Sequence, residues 1–392
     1  MRIGTRRLQF GLRSMMVMVA CVALLLWAGL LYWRSRQITE IFGYSDQSQR
    51  SRAARKLGPE SVPTLIRGLR NSDVMWRIES ADTLRRLGPA AAPAVAALAD
   101  GLKDSNPRMR EAAANALRAI GPKAEAAVPD LVPLLRDPKM ELRYTAVTAL
   151  GQIRAHPEIA VPALAERLTD DNLYVRMMAC NALGAFGKDA AVPVSTLTKS
   201  LDDPSALVRL RAAEAICKVT TDDAAAIAAL IDLLADESMS IGAVRVLGEL
   251  GPRADAAVPN LIELLRRPGE PNIGVIEVLG KIGPASRDAV PDIMRVIGDE
   301  QPRTRLGAAR ALASIGPDTE RAVGVLIGLL ADGDLGVRLS AVESLGVIGS
   351  AARAAVPSLV AMLQDENELV QRMAGDALEK IDPVAARDAG IQ

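Results

Sequence analysis

The sequence predicts an all-α fold, an α-solenoid of about ten helix pairs with one N-terminal transmembrane helix. Three observations predict it. A two-helix pattern recurs about every 33 residues across most of the 392. The last apolar residue of each second helix falls at Leu57, Leu87, Ile120, Ile153, Phe186, Val219, Leu250, Ile282, Ile315, Ile348 and Ile381, in steps of 30, four of 33, 31, 32 and three of 33. No convincing strand interrupts the series. A fixed period of this length marks a stack in which each helix pair buries its face against its neighbours.

The unit is clearest in Ala127–Ile153. Its first helix (A) opens with Pro129, which suits a first turn because its missing N–H would be unpaired there. Its second helix (B) opens after Asp137 and Pro138 and places Leu142, Ala146, Ala149, Leu150 and Ile153 at helical spacing. Related units end in Gly-Pro, a helix stop followed by a residue that cannot continue a helix.

Ten residues before the anchors runs a ladder: Arg77, Arg110, Arg143, Arg176, Arg209, Ser240, Asn272, Arg305, Arg338, Gln371. Six residues before these come Asn71, Asp104, Asp137, Asp170, Asp203, Leu234, Arg266, Asp299, Asp332 and Asp365. The Pro129, Asp137, Arg143 spacing resembles the HEAT repeat. The 33-residue period and the V-R-x-x-A-A-x-A-L-G-x-I-G cadence are similar to its PBS-lyase-type variety, over roughly residues 46–383. The resemblance implies that turn aspartates and helix-B arginines bond from one repeat to the next, an Arg fork suiting a carboxylate bidentately. An anion-binding arginine stripe is the alternative. The resemblance is specific for fold and nearly silent on function.

Taken in order, residues 1–13 carry Arg2, Arg6, Arg7 and Arg13 and no acid. Residues 14–33 are uncharged, and twenty residues at about 1.5 Å each cross a hydrocarbon core of roughly 30 Å. Tyr32 and Trp33 sit where an aromatic belt belongs, with Arg34 and Arg36 beyond. The arginine excess on the near side places the N-terminus in the cytoplasm and the repeats outside the inner membrane. A permanent signal-anchor is the leading reading; a cleaved signal peptide and a lipoprotein lipidated at Cys21 are the others. The Phe10, Leu12, Arg13, Met15 start resembles a recurrent bacterial N-terminal anchor. A linker, 34–45, leads into a lone second helix at 47–57 that caps the stack. Ten pairs follow, with a polar final helix and a C-terminal tail at 384–392.

The regularity breaks at Asp236–Ile282, where the ladder lapses and Gly242, Pro268, Gly269, Pro271 and Gly274 enter. A bend or drifted repeat pair is one reading; a hinge or partner notch is the other. Gly242, Gly274 and Gly307 align in successive repeats and fit a close-approach groove.

Composition narrows the function classes. The 47 basic side chains balance 47 acidic ones, so no basic face announces a nucleic-acid binder, and bases also need aromatic platforms, yet no Phe, Tyr or Trp follows Phe186. Three cysteines make no framework; Cys180 and Cys217 take positions of small residues. His156, the single histidine, reads as a loop residue and cannot supply a triad or a histidine metal site. The run Gly274–Lys281 is one residue too long for a phosphate loop, and Ile282 stands where Ser or Thr is needed. No cofactor, metal or catalytic residue is expected.

Two rows on helix B remain. Five residues after the ladder lies a polar stripe: Asp82, Asn115, Thr148, Asn181, Glu214, Arg245, Glu277, Arg310, Glu343, Asp376. In HEAT-like stacks helix B lines the concave side. One residue after the ladder lies an apolar row, including Ile78, Tyr144, Met177, Leu210, Ile241, Ile273, Leu306 and Leu339. That row serves either repeat packing or a groove for a partner. Tyr144 and Met177, then Leu210, Gly242 and Gly274, are the candidate contacts with a protein partner of unknown identity. The reading is a membrane-anchored scaffold that binds other proteins through the concave face of the solenoid, without catalysis; a phycobilin-lyase-like enzyme or accessory subunit and a purely structural spacer are the alternatives.

Overall fold

The computed structural model describes residues 19, 22–23, 57–188, 192–267, 272–296, 301–316 and 320–391. The basic segment 1–13, nearly all of the span 14–33, the linker 34–45, the start of the repeat region, the turn residues Pro268, Gly269 and Pro271, and the ladder residue Asp299 lie outside the described residues.

Every described element is helical, and the elements come in A/B pairs. The chain divides into two units, Met1–Pro193 and Val194–Gln392. The first holds α1 (Val62–Gly68), α2 (Val74–Leu87), α3 (Val95–Gly101), α4 (Pro107–Ile120), α5 (Val128–Leu131), α6 (Met140–Ile153), α7 (Pro157–Ala165) and α8 (Leu173–Phe186). The second holds α9 (Val194–Lys199), α10 (Ala206–Val219), α11 (Ala224–Leu233), α12 (Ser240–Leu250), α13 (Val258–Leu265), α14 (Ile273–Ile282), α15 (Val290–Arg295), α16 (Pro302–Ile315), α17 (Glu320–Leu329), α18 (Leu335–Ile348), α19 (Val356–Met362), α20 (Glu368–Ile381) and α21 (Pro383–Asp388). Odd-numbered helices up to α19 are A and even-numbered ones are B. In each unit consecutive B helices pack side by side and each A helix packs on its own B.

Local chemistry sets these boundaries. Six of the ten described B helices open on extended Asp or Asn caps, whose side-chain oxygens accept from N–H groups of the first turn, as Asp73 does from Met75 and Asn106 from Arg108. Most B helices close on a glycine at positive φ, such as Gly88 (58°), Gly121 (71°) and Gly283 (79°), where a side chain would be strained, while α10 and α20 end on extended Thr220 and Asp382. The Gly-Pro that reads as a plain stop also begins a 3-10 segment, as in Gly88–Ala94, Gly121–Ala127 and Gly251–Ala257. Pro at its start fixes φ, and the small Ala91 and Ala94, Ala124 and Ala127, fill the narrow space beneath as fully buried residues. The A helices are correspondingly short. After α6 no glycine is present, and Arg154 and His156 take positive φ of 52° and 50° instead.

Within the first unit Leu65, Leu84, Leu98, Leu117, Leu131 and Leu150 are wholly buried. In the second, Leu230, Leu247, Leu279, Leu312, Leu345 and Leu378 repeat the arrangement. The aliphatic, alanine-rich interior lets helices approach closely without aromatic spacers. The run Leu335–Met362 is long and apolar enough to cross a membrane, but it contains α18, a 3-10 segment at Gly349–Ala355 bent at Ala352, and α19. Its apolar residues Val337, Ala341, Leu345 and Leu359 belong to the core. At the C-terminal end, part of the expected tail is the short helix α21, which buries Ala386 and is capped by Asp382.

Candidate partner-binding surface

The ladder positions the B helices. Arg77 Nε donates to Asp104 Oδ2 (2.8 Å), and Arg110 Nη2 to Asp137 Oδ2 (2.9 Å). Arg143 meets Asp170 with two bonds of 2.8 Å, and Arg305 meets Asp332 with two of 2.7 Å. Arg338 Nε pairs with Asp365 Oδ2 at 3.2 Å. Each carboxylate is 27 residues ahead, in the next repeat. The same arginines reach back with Nη1 to the backbone carbonyl six residues earlier: Arg110 to Asp104, Arg143 to Asp137, Arg338 to Asp332. Arg176 and Arg209 do likewise to Asp170 and Asp203. The carboxylate meanwhile accepts from the N–H two residues on, as Asp104 from Asn106 (2.8 Å) and Asp137 from Lys139 (2.9 Å). One guanidinium thus ties its own turn to the next, and these side chains are largely spent on structure.

Electrostatics follow the same pattern. Burial works to raise the Asp104 carboxyl, but Arg77 and the Asn106 N–H outweigh it and hold it below the usual range. At Asp332 the hydrogen bond from Arg305 is the main cause of a lowered value. Where the ladder lapses the first turn of helix B is lost too: α12 and α14 have 11 and 10 residues against 14 in most B helices. Arg266, in the place of a ladder aspartate, instead donates to Asp292 with bonds of 3.0 and 2.9 Å. Asp236 forms a local turn with the N–H of Ser238 at 2.9 Å.

A second glycine row, eight residues after the ladder, sets the distance between B helices. A Cβ at Gly151 would stand 2.9 Å from Ala182 Cα, and one at Gly280 2.8 Å from Ala311 Cα. The A-L-G cadence carries this signal, although it first reads only as a family trait.

The predicted contact residues divide on this scaffold. Tyr144 on α6 and Met177 on α8 are half-buried and lie on adjacent B helices. Leu210 does not fit the expectation of an accessible contact: it is 4% exposed. The reason lies at Gly242, where a Cβ would meet Leu210 Cδ2 at 2.6 Å. The leucine occupies the space the glycine leaves and is itself closed to a partner. Gly274 retains room, its nearest neighbours being Asn272 Oδ1 at 3.4 Å and Val244 Cγ1 at 3.8 Å. The apolar row is uneven, since Ile241 is 79% exposed.

The polar stripe is also interrupted. Thr148 is buried and donates to the Thr145 carbonyl at 2.9 Å. Glu214 is buried among Arg211, Lys218 and Arg245, at 2.8, 2.8 and 3.1 Å. Burial there acts to raise its pKa, but the bonds from Lys218 and Arg211 and the charge of Arg245 pull it down to about 2. Farther along, Glu277, Arg310, Glu343 and Asp376 are exposed. Lys281, Arg303 and Arg310, which sequence reasoning did not group, line one pocket with Glu277 and Leu306. The available signal was their helical spacing around a single carboxylate, Glu277.

His156 heads α7, with Nδ1 3.2 Å from Glu158 Oε1. Cys180 and Cys217 are buried, and burial is the main cause pushing the Cys217 thiol up to about 12. Among the described residues no group of three His, Cys, Asp or Glu side chains is placed to hold a metal ion.

Comparison with known proteins places this geometry. A profile of HEAT repeats matches residues 37–118, 62–140, 128–194, 194–273, 269–346 and 325–389. Among solved structures, importin beta is similar with a TM-score of 0.60 at 16% identity, covering 93% of this chain and 56% of that one. A chain of the Kap95:Nup1 complex is similar at 0.55 and 16% identity, covering 89% and 56%. This chain therefore spans little more than half the length of these structures. No curated protein matches it. Repeat matches along most of its length show that the chain belongs to the HEAT-repeat family.

Proposed function

We propose that this chain is a membrane-anchored scaffold that binds other proteins along the face of its B helices, without catalysis of its own. The observation that carries the proposal is the half-open apolar pair Tyr144 and Met177 on neighbouring helices. Most other large apolar side chains of the first unit are sealed in its core. The ladder arginines Arg77, Arg110, Arg143, Arg305 and Arg338 are occupied by aspartates, so recognition falls to these apolar residues and to the exposed part of the stripe. A protein of this fold has been solved as the Kap95:Nup1 complex, which accords with a binding role. The uncharged run 14–33 supplies the anchor, with the N-terminus in the cytoplasm and the repeats on the extracytoplasmic side of a bacterial inner membrane. The PBS-lyase-type cadence belongs with this reading as a variety of repeat.

The test is a cross-linked pull-down from membranes with the full-length protein and with Tyr144→Glu/Met177→Glu, circular dichroism confirming the fold of the variant. A protein captured by the first and lost with the second supports the reading. Equal capture by both moves the contact elsewhere. Capture of nothing removes the scaffold reading in favour of a spacer, and a spectral shift on mixing with bilins would favour the lyase-like alternative.

A further inference from the structure

We propose that the groove between α14 and α16 binds an acidic segment of a partner protein. This rests on the scaffold reading and gives the partner's chemistry at one place. The groove has a volume of about 460 Å³. Glu277 and Lys281 stand one turn apart on its α14 wall, and Arg303, Leu306, Gly307 and Arg310 share a face of α16 at helical spacing.

Two glycines shape it. At Gly280 the helices touch, since a Cβ would lie 2.8 Å from Ala311 Cα. At Gly307 a Cβ would meet only Ile273 Cγ2, at 3.5 Å, so the missing side chain leaves free space. Leu306, half-buried, gives the wall an apolar strip.

The charge in the groove is unanswered. Lys281, Arg303 and Arg310 are exposed, and among the described residues no ion pair joins any of them to another. Their neighbour Arg305, by contrast, is fully engaged with Asp332 at 2.7 Å. Three cations against the single carboxylate of Glu277 leave a net charge of +2 (3 − 1) in a chain that is neutral as a whole. A cleft of one sign with apolar walls attracts and orients a ligand of the other. The apolar strip favours an Asp/Glu-rich peptide with an aliphatic residue over a nucleic acid. Glu277 would repel a phosphate chain, and no aromatic side chain follows Phe186 for bases to stack on.

The probe is a fluorescein-labelled octapeptide of six glutamates around two leucines, titrated by anisotropy into the full-length protein in detergent. Wild type is compared with Arg303→Glu/Arg310→Glu and with Arg108→Glu, an exposed arginine at the repeat position of Arg303. The proposal expects binding about tenfold weaker in the groove variant, within about twofold of wild type in the control, and weaker as salt rises. If the double reversal disturbs the circular dichroism, Arg303→Gln/Arg310→Gln replaces it, with about fivefold weakening expected. Equal affinity in all proteins, or no binding to wild type, overturns the proposal. So does a single-stranded oligonucleotide that binds tighter than the peptide through the same arginines. A partner lost from the pull-down with Tyr144→Glu/Met177→Glu, combined with a peptide titration unmoved by the groove variant, overturns the groove and leaves the scaffold standing. Absence of any partner removes the scaffold, while the peptide titration still decides the groove.

Discussion

Replacing Arg143 by alanine removes the best-buried rung of the first unit. Its side chain is 10% exposed and that of Asp170 3%. The guanidinium donates twice to Asp170, again to Asp171, and to the carbonyls of Asp137 (3.1 Å) and Pro138 (3.3 Å). Removing one partner of a buried pair costs roughly 3–5 kcal/mol, because the other charge is left desolvated. Asp170 would keep the Asn172 N–H at 3.0 Å and Arg167 at 3.7 Å. The expected cost is therefore about 2–4 kcal/mol. The Arg136–Glu166 pair is the control. It has comparable geometry, at 2.9 Å, but its side chains are 72% and 49% exposed, so Arg136→Ala should cost no more than about 0.5 kcal/mol. Repeat arrays open locally, so the assay is native-state hydrogen exchange of the full-length protein, read over 140–153 and 170–186. Burial acts to raise the Asp170 carboxyl, but Arg143 and the Asn172 N–H outweigh it and keep it lowered. Its contribution is accordingly present above the ordinary carboxylate pKa of about 4 and lost as pH falls below that. Equal exchange in Arg143→Ala and Arg136→Ala would refute the idea that burial makes the ladder strong.

Glu214 gives a second pH dependence: its pKa is lowered from 4.5 to about 2, so its contribution is complete above 4.5 and disappears on acidification towards 2. Glu214→Gln should cost about 2 kcal/mol at neutral pH and flatten the acid limb of a urea-midpoint profile. Gly151→Ala should destabilise by about 1–3 kcal/mol, since its Cβ has backbone 2.9 Å away, whereas Gly307→Ala should be neutral or stabilising by up to about 1 kcal/mol; thermal melts separate the two. Arg154→Gly should stabilise by about 0.5–1 kcal/mol by relieving a side chain held at φ 52°, seen as slower exchange at the end of α6.

The ladder shows how far sequence reached. Arg143 and Asp170 were recognisable as members of one register because identical turns recur, and the 27-residue reach followed from the family resemblance. The candidate surface was less legible. Leu210 and Tyr144 hold the same repeat position, yet one is buried and the other half-open, because only Leu210 faces a glycine in the next repeat. Thr148 and Glu214 hold the same position as exposed Arg310, and their burial depends on Thr145 and on Arg211, Lys218 and Arg245. The 3-10 segments are not legible in the sequence, because alanine-rich turns carry no periodic signal strong enough to distinguish them from a helix start.

By itself the sequence determined the all-helical class, the 33-residue period, the ends of the B helices and the identity of the ladder, since all of these are properties of spacing along one chain and of residues whose backbone preferences are strong. Only the tertiary structure decided which row positions are open, which charges are answered and where a groove remains. Those properties are set by the repeat next door, where a missing Cβ or a carboxylate 27 residues away changes burial without changing the local pattern.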